Sequence, residues 1–281
     1  MRSTLLLSAV AALAITSANA ADLASGKKAP AAPVVVSPWD YTVGAGVTSN
    51  YIFRGISQSD NKPGVNANAE LRYTFSDAFT GYLGVAGASI KLTDQAASPG
   101  LEFDAIAGVR TAIGPVAVDV GAIAYIYPSF EKSDIFPTNP TWWEGYVKTS
   151  YEVGSLTVGV NGFFTPSYLD TGANGQYLAA TLAYKLPNDF AISGEFGRQF
   201  LGTTDAQHFS VSMPDYNYWN VGASYSYKIA TLDLRYHDTN LSKEQCSSIT
   251  GPTGTSSSAS KYCNSAFVAT LSFSLQGKDV K

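Results

Sequence analysis

Residues 40–54, DYTVGAGVTSNYIFR, alternate by twos. Tyr41, Val43, Ala45, Val47, Tyr51 and Phe53 fall on one face, and Thr42, Gly44, Gly46, Thr48, Asn50 and Arg54 on the other. Successive side chains of a β-strand point to opposite sides, so one face of this stripe meets apolar surroundings and the other meets water. The same pattern recurs along the chain. In 64–75, Val65, Ala67, Ala69, Leu71, Tyr73 and Phe75 oppose Asn66, Asn68, Glu70, Arg72 and Thr74. Near the end, Phe267, Ala269, Leu271, Phe273 and Leu275 oppose Val268, Thr270, Ser272 and Ser274.

The spacing predicts about twelve strands, over 40–54, 64–75, 79–90, 101–113, 115–127, 141–152, 155–165, 175–186, 189–200, 215–228, 230–240 and 262–275. Short turns at Ser76–Asp77, Gly114–Pro115, Val153–Gly154, Pro187–Asn188 and near Ile229 alternate with polar loops over 55–62, 91–100, 128–140, 166–174, 201–214 and 241–261. A soluble sandwich would show no such strict alternation, which marks a transmembrane antiparallel up-and-down β-barrel. The fold expected is therefore all-β, with long extracellular loops, short periplasmic turns and both chain ends on the short-turn side. Aromatics at the stripe ends, including Trp142 and Trp143, Tyr73 and Phe75, and Tyr225 and Tyr227, suit two interfacial girdles.

Composition agrees with this fold. Of 281 residues, 12% are aromatic and 14% charged, with 25 Gly. Residues 1–20 read as an export signal, with Arg2, an apolar run from Leu5 to Ile15, and Ala18-Asn19-Ala20 before the cut. Its removal leaves seventeen basic against twenty-two acidic residues, a net charge of −5 that argues against nucleic-acid binding. Residues 21–38 read as a flexible Ala/Pro-rich periplasmic lead-in, 39–275 as the barrel and 276–281 as a polar tail. No later run reaches eighteen apolar residues, so any spanning must be done by strands. Cys246 and Cys263 share one Ser/Gly/Thr-rich segment, and in an exported chain they are expected to form a disulfide.

Placing the polar faces inward collects Glu70, Arg72, Glu102, Asp104, Arg110, Asp119, Glu144, Lys148, Glu195, Asp233, Arg235 and His237. Lipid strongly disfavours such charges near its midplane, which makes the lumen their place. Arg54, Glu70, Arg72, Asp104, Arg110, Asp119, Glu144, Lys148 and Arg235 are the candidate pore residues. Two readings stay open: water runs between these groups and they select what passes, or they pair and fill a closed barrel. Twelve strands enclose more room than eight and less than sixteen, so any pore would be narrow.

Val47-Thr48-Ser49-Asn50-Tyr51-Ile52-Phe53-Arg54-Gly55-Ile56-Ser57-Gln58-Ser59, with the return Asn61-Lys62-Pro63, resembles the opening motif of the TorF-family porins. These are proteobacterial outer-membrane proteins of poorly defined function. The match is close over 44–66, and the resemblance implies an outer-membrane barrel with pore activity and supplies no substrate or catalytic residue. On the residues alone, Tyr51 and Phe53 suit an outer girdle, and Arg54 could project into the mouth and attract anions.

The sequence has no P-loop, dinucleotide fingerprint or zinc-ligand spacing, so no cofactor or metal is implied. His208 and His237 are the only histidines and stand in no hydrolase motif, so no catalytic residue is assigned, and a lipid hydrolase is the remote alternative. The partners implied are outer-membrane lipid and lipopolysaccharide, small solutes or ions, and a second copy of the chain. A non-conducting structural or surface-binding barrel is the rival to a porin.

Overall fold

The structure, a computed structural model, describes residues 37–91, 100–128, 130, 139–250 and 259–277. The export signal, most of the lead-in, parts of three loops and the tail beyond 277 lie outside the described residues. Twelve long strands form the wall: β1 (Trp39–Thr48), β4 (Gly64–Ser76), β5 (Phe79–Ser89), β6 (Leu101–Ile113), β7 (Val116–Ile126), β8 (Trp142–Val153), β9 (Leu156–Thr165), β10 (Gly175–Lys185), β11 (Phe190–Leu201), β12 (Tyr216–Tyr227), β13 (Ala230–Thr239) and β14 (Ala266–Gln276). Two short strands, β2 (Ile52–Phe53) and β3 (Ile56–Ser57), form a separate hairpin, and α1 (Lys243–Thr250) is the sole α-helix among the described residues.

Each wall strand pairs antiparallel with its neighbours, and β1 pairs with β14 from Thr42↔Gln276 to Thr48↔Thr270. That seam closes the ring. Closure removes free strand edges and lets every backbone group of the wall be bonded within the protein, as a spanning sheet requires. Five tight turns occupy one end and six longer connections the other. Left-handed residues make the tight turns: Gly114, Gly154, the pair Asn188–Asp189, and Lys228. No helix among the described residues is long and apolar enough to cross a membrane.

The exterior is apolar. Leu83, Val85, Val120, Val147, Val160, Leu178, Leu182, Val221 and Leu234 are all exposed along the middle of the wall. Rings sit above and below. Trp39, Tyr73, Phe75, Phe79, Phe190, Tyr225 and Tyr227 mark the short-turn end, while Trp143, Phe164, Phe200 and Phe267 mark the other. Trp39 meets Tyr73 edge to face at 4.7 Å.

The structure departs from the sequence reading at three places. First, β1 ends at Thr48, not Arg54, and residues 49–63 turn into the barrel. Second, Trp142 faces the lumen and is buried, so it belongs to the filling and not to a girdle. Third, β14 starts at Ala266, leaving Cys263 in the connection, where it forms the disulfide with Cys246 of α1. Alternation alone does not separate lipid from a packed interior, because an aromatic ring suits both.

Two measurements check this architecture. Leu83, 65% exposed at mid-strand, should tolerate Arg poorly. Leu83→Arg is expected to cost about 2–4 kcal/mol in urea titrations of the barrel refolded into vesicles; a loss under about 0.5 kcal/mol would contradict the lipid-facing assignment. The bond between Cys246 and Cys263 closes a separation of 17 residues, so reducing it should cost roughly 3 kcal/mol in the same titration.

Candidate functional site

The sequence that breaks the first stripe is Arg54-Gly55. Arg54 (φ 46°) and Gly55 (φ 84°) form the turn of the β2–β3 hairpin, which pairs Ile52 with Ser57 and Phe53 with Ile56. Gly55 is required twice over: its φ is left-handed, and a Cβ there would collide with the Thr239 methyl and the Tyr218 ring. Side-chain hydrogen bonds fold the segment on itself. Ser57 and Ser59 donate to Asn50 Oδ1 at 2.7 and 3.1 Å, and Asn61 N–H donates to Ser57 Oγ at 2.8 Å. Ser57 N–H donates to Tyr262 C=O at 2.8 Å, tying the segment to the disulfide-closed loop.

The hairpin delivers one charge across the lumen. Arg54 donates to both oxygens of Glu144 at 2.9 and 2.7 Å and to Gln199 Oε1 at 3.0 Å. Glu144 lies on β8 and Gln199 on β11, and both are 0% exposed. The rings of Phe53, Phe163 and Tyr177 lie 4.7, 4.8 and 4.4 Å from the guanidinium carbon. In the ring order β9 is half-way round from β1, so the segment spans the whole lumen. A fork-to-fork Arg–carboxylate pair is among the strongest side-chain contacts, and flanking rings favour the flat guanidinium further.

Above and below this bridge the other candidates fall into separate groups. Towards the short turns, Arg110 donates to both Glu70 oxygens at 2.7 Å and to Asp119 at 3.2 Å, and Tyr82 donates to Asp119 at 2.7 Å. Arg72 reaches Asp40 at 2.7 Å and Glu70 at 3.2 Å. Lys148 pairs in register with Asp119, and its nitrogen lies 4.3 Å from the Tyr146 ring centroid. Arg235 forms its own cluster with Asp233, Asn220 and Ser193. Towards the long loops, Tyr51 and Tyr127 donate to the two oxygens of Glu102 at 2.7 and 2.8 Å. Asp104 follows on the same face of β6, with Oδ1 buried and without a hydrogen-bond partner among the described residues. Beneath the bridge a cavity of about 110 Å³ remains, lined among others by Arg54, Glu70, Arg110, Asp119, Lys148 and Glu195.

Eight of the nine candidates therefore sit on interior-facing positions of the wall. Arg54 does not sit at an open mouth; its charge is matched inside the barrel, which removes the anion-attracting role read from the sequence. Tyr51 and Phe53 are likewise part of the filling and not of a girdle: Tyr51 is buried against Glu102, and Phe53 packs edge to face on Tyr125 at 5.7 Å. Gln199, Phe163 and Tyr177 were missed because single uncharged residues on a polar face carry no signal by themselves. His237 shares a 2.8 Å hydrogen bond with the Tyr218 hydroxyl, and His208 one of 2.7 Å with Asp205.

At the long-loop end, Asp60 ties three connections together. Lys62, Lys91 and Lys261 contact its carboxylate at 2.7, 3.2 and 3.1 Å. Burial pushes the Asp60 carboxyl up, and hydrogen bonds from Lys62, Lys261 and Lys91 outweigh it, holding the group at about 2.

Residues 32–272 match the profile of a family described as "Bacterial protein of unknown function (Gcw_chp)". The chain belongs to that family. Among solved structures, a chain from work on the in-meso crystallization of membrane proteins is 12% identical with a TM-score of 0.51, over 85% of this chain and 84% of that one. It shares the fold. The NanC porin (12% identity, TM-score 0.49, 84% of this chain and 100% of that one) and a KdgM porin (10%, 0.46, 83% and 99%) are also similar. No curated protein matches the sequence.

Removing Arg54 would strand a fully buried carboxylate in this Gcw_chp member. Arg54→Ala is expected to cost about 3–5 kcal/mol, and adding Glu144→Gln should recover part of that loss, as read by urea titration of the four-member cycle. The depressed Asp60 carboxyl contributes stability that is complete above its unfolded value and is lost as pH falls through about 2. Hydrogen exchange of residues 57–62 should therefore accelerate across that acid range in the natural chain. Asp60→Asn should show fast exchange at every pH.

Proposed function

We propose that this protein is an outer-membrane porin of narrow bore, closed at its extracellular half by the inserted segment 49–63 and passing small solutes or ions when that segment withdraws. The observation that carries the reading is the cavity of about 110 Å³ beneath the bridge, walled by ionisable groups of both signs. A barrel serving only as an anchor gains nothing from keeping such groups around an unfilled space inside a membrane. Arg54 and Glu144 act as the latch, while Glu70, Arg72, Asp104, Arg110, Asp119, Lys148 and Arg235 set which ions pass. The resemblance of 44–66 to the TorF-family porins supports the same reading. In this account residues 1–20 direct export, the long loops face outward among lipopolysaccharide, and the barrel needs no cofactor.

The rival reading, a permanently stoppered barrel, takes its support from the same bridge, since Glu144 and Gln199 are sealed from solvent. Planar-bilayer recording separates the two. The refolded protein should show rare, small conductance steps, and replacing residues 51–58 with a Gly/Ser linker should make the steps larger and more frequent. Arg110→Gln, which removes a positive charge from the lumen, should shift the reversal potential in a salt gradient towards cation preference. Absence of steps above the lipid baseline from both the natural chain and the linker variant would rule out a porin.

A further inference from the structure

The contacts of Arg54 divide into an occupant and a receptor. The occupant is one guanidinium carried by the inserted segment. The receptor belongs to the wall: Glu144 on β8, Phe163 on β9, Tyr177 on β10 and Gln199 on β11. Its carboxylate offers two parallel acceptors at 2.7 and 2.9 Å, the Gln amide oxygen adds a third at 3.0 Å, and two wall rings lie within 4.8 Å. This donor–acceptor match suits a planar fork of N–H groups and not a compact ammonium, which cannot satisfy both carboxylate oxygens and the amide in one plane. Arg54, Phe163 and Tyr177 also line the lumen cavity, so the aromatic side of the receptor borders the space a solute would enter.

We infer that the Glu144–Gln199–Phe163–Tyr177 cradle is a binding site for guanidinium-bearing solutes, with Arg54 as a built-in occupant that such a solute displaces. The inference rests on the porin reading and names the solute class for it. Its energetics suit a transport protein. A tethered side chain competes at an effective concentration on the order of millimolar, so a free guanidinium compound must be present at comparable levels to exchange with it. Exchange keeps the buried carboxylate paired throughout, which plain withdrawal of the segment does not. Binding would thus release the latch without stranding the buried carboxylate, and the freed Arg54 guanidinium would pass to water.

The test uses the full-length barrel refolded in detergent, with methylguanidinium and methylammonium as probes at equal ionic strength. In Arg54→Ala, methylguanidinium should raise the thermal midpoint in a concentration-dependent way, with an apparent Kd at least about tenfold below that of methylammonium. Adding Glu144→Gln should abolish the difference. If Arg54→Ala fails to fold, the natural chain provides the readout. Methylguanidinium should then accelerate hydrogen exchange of residues 51–58, methylammonium should not, and Glu144→Gln should remove the distinction. Equal responses to the two probes, or a preference that survives Glu144→Gln, would overturn the assignment. Neither readout requires conduction. Bilayer steps without guanidinium preference would therefore remove the solute class while leaving the porin reading in place, and binding without steps would do the reverse.

Discussion

Backbone hydrogen bonding that closes on itself is the constraint from which the rest of this molecule follows. A strand exposed to lipid cannot leave its N–H and C=O groups unpaired, and the β1–β14 ladder is what spares the wall two free edges. Once the ring is closed, each side chain has only two destinations. The apolar residues take the lipid, and the charged ones are forced inward into a space of low polarity. There they must find partners, because an isolated ion in such a place is strongly unfavourable. The Glu70–Arg110–Asp119 chain and the Asp233–Arg235 pair are the consequence.

Strand number sets the next problem. Eight strands can be filled by their own side chains, whereas a ring of twelve leaves a gap along the axis. This chain fills part of the gap with rings, Tyr125, Tyr127, Trp142, Tyr146, Tyr168, Tyr177, Tyr216 and Tyr218, all buried. It fills another part with backbone, the hairpin at 52–57. A hairpin inside a barrel brings polar groups that the wall must satisfy. The serines and Asn50 meet much of that need locally, and the wall supplies Glu144 and Gln199 for the one charge. Arg54 and Glu144 specify position more than they add stability, since two well-packed apolar side chains would hold the hairpin at least as firmly.

Much of the wall was legible in the sequence. Strand number, the alternation of short and long connections, and the facing of Glu70, Arg72, Arg110, Asp119, Glu144 and Lys148 all follow from a period of two. The inserted segment was not legible, and the reason is physical. Tyr51 and Phe53 continue the alternation of β1 past Thr48, and a ring buried on Tyr125 leaves the same mark in sequence as a ring in a membrane girdle. The better signal lay in the polar residues. Ser49-Asn50, Arg54-Gly55 and Asp60-Asn61 are three turn-forming pairs within thirteen residues, more than a strand with a plain loop needs. Trp142 misled for the same reason as Tyr51. The Arg54 cradle draws on β8, β9, β10 and β11, and single residues scattered between Glu144 and Gln199 become a site only after the strands are laid side by side.

At the level of the inserted segment the two sides of the lumen wall are unlike, and the segment explains why. Beside its roots in β1 and β4, the wall carries Gly44, Gly46, Thr48, Asn66, Asn68 and Thr270, all small or uncharged, and the charged Asp40, Glu70 and Arg72 of the same strands lie nearer the short turns. A Cβ on Gly44 would lie 2.7 Å from Asn68 Oδ1 and one on Gly46 3.1 Å from Asn66 Oδ1, so these glycines let the amides lie flat against the sheet. Across the barrel, β8 to β11 carry Glu144, Lys148, Phe163, Tyr177, Glu195 and Gln199. Chain continuity fixes the segment to the first wall, and a single guanidinium fixes its tip to the second. Near its roots the segment is also held by Asp60 with Lys62, Lys91 and Lys261 and by Tyr51 on Glu102, whereas its tip relies on the Arg54 cradle. The tip meets this far wall through the Arg54 cradle, so withdrawal of the segment from that wall has to break the Arg54–Glu144 pair.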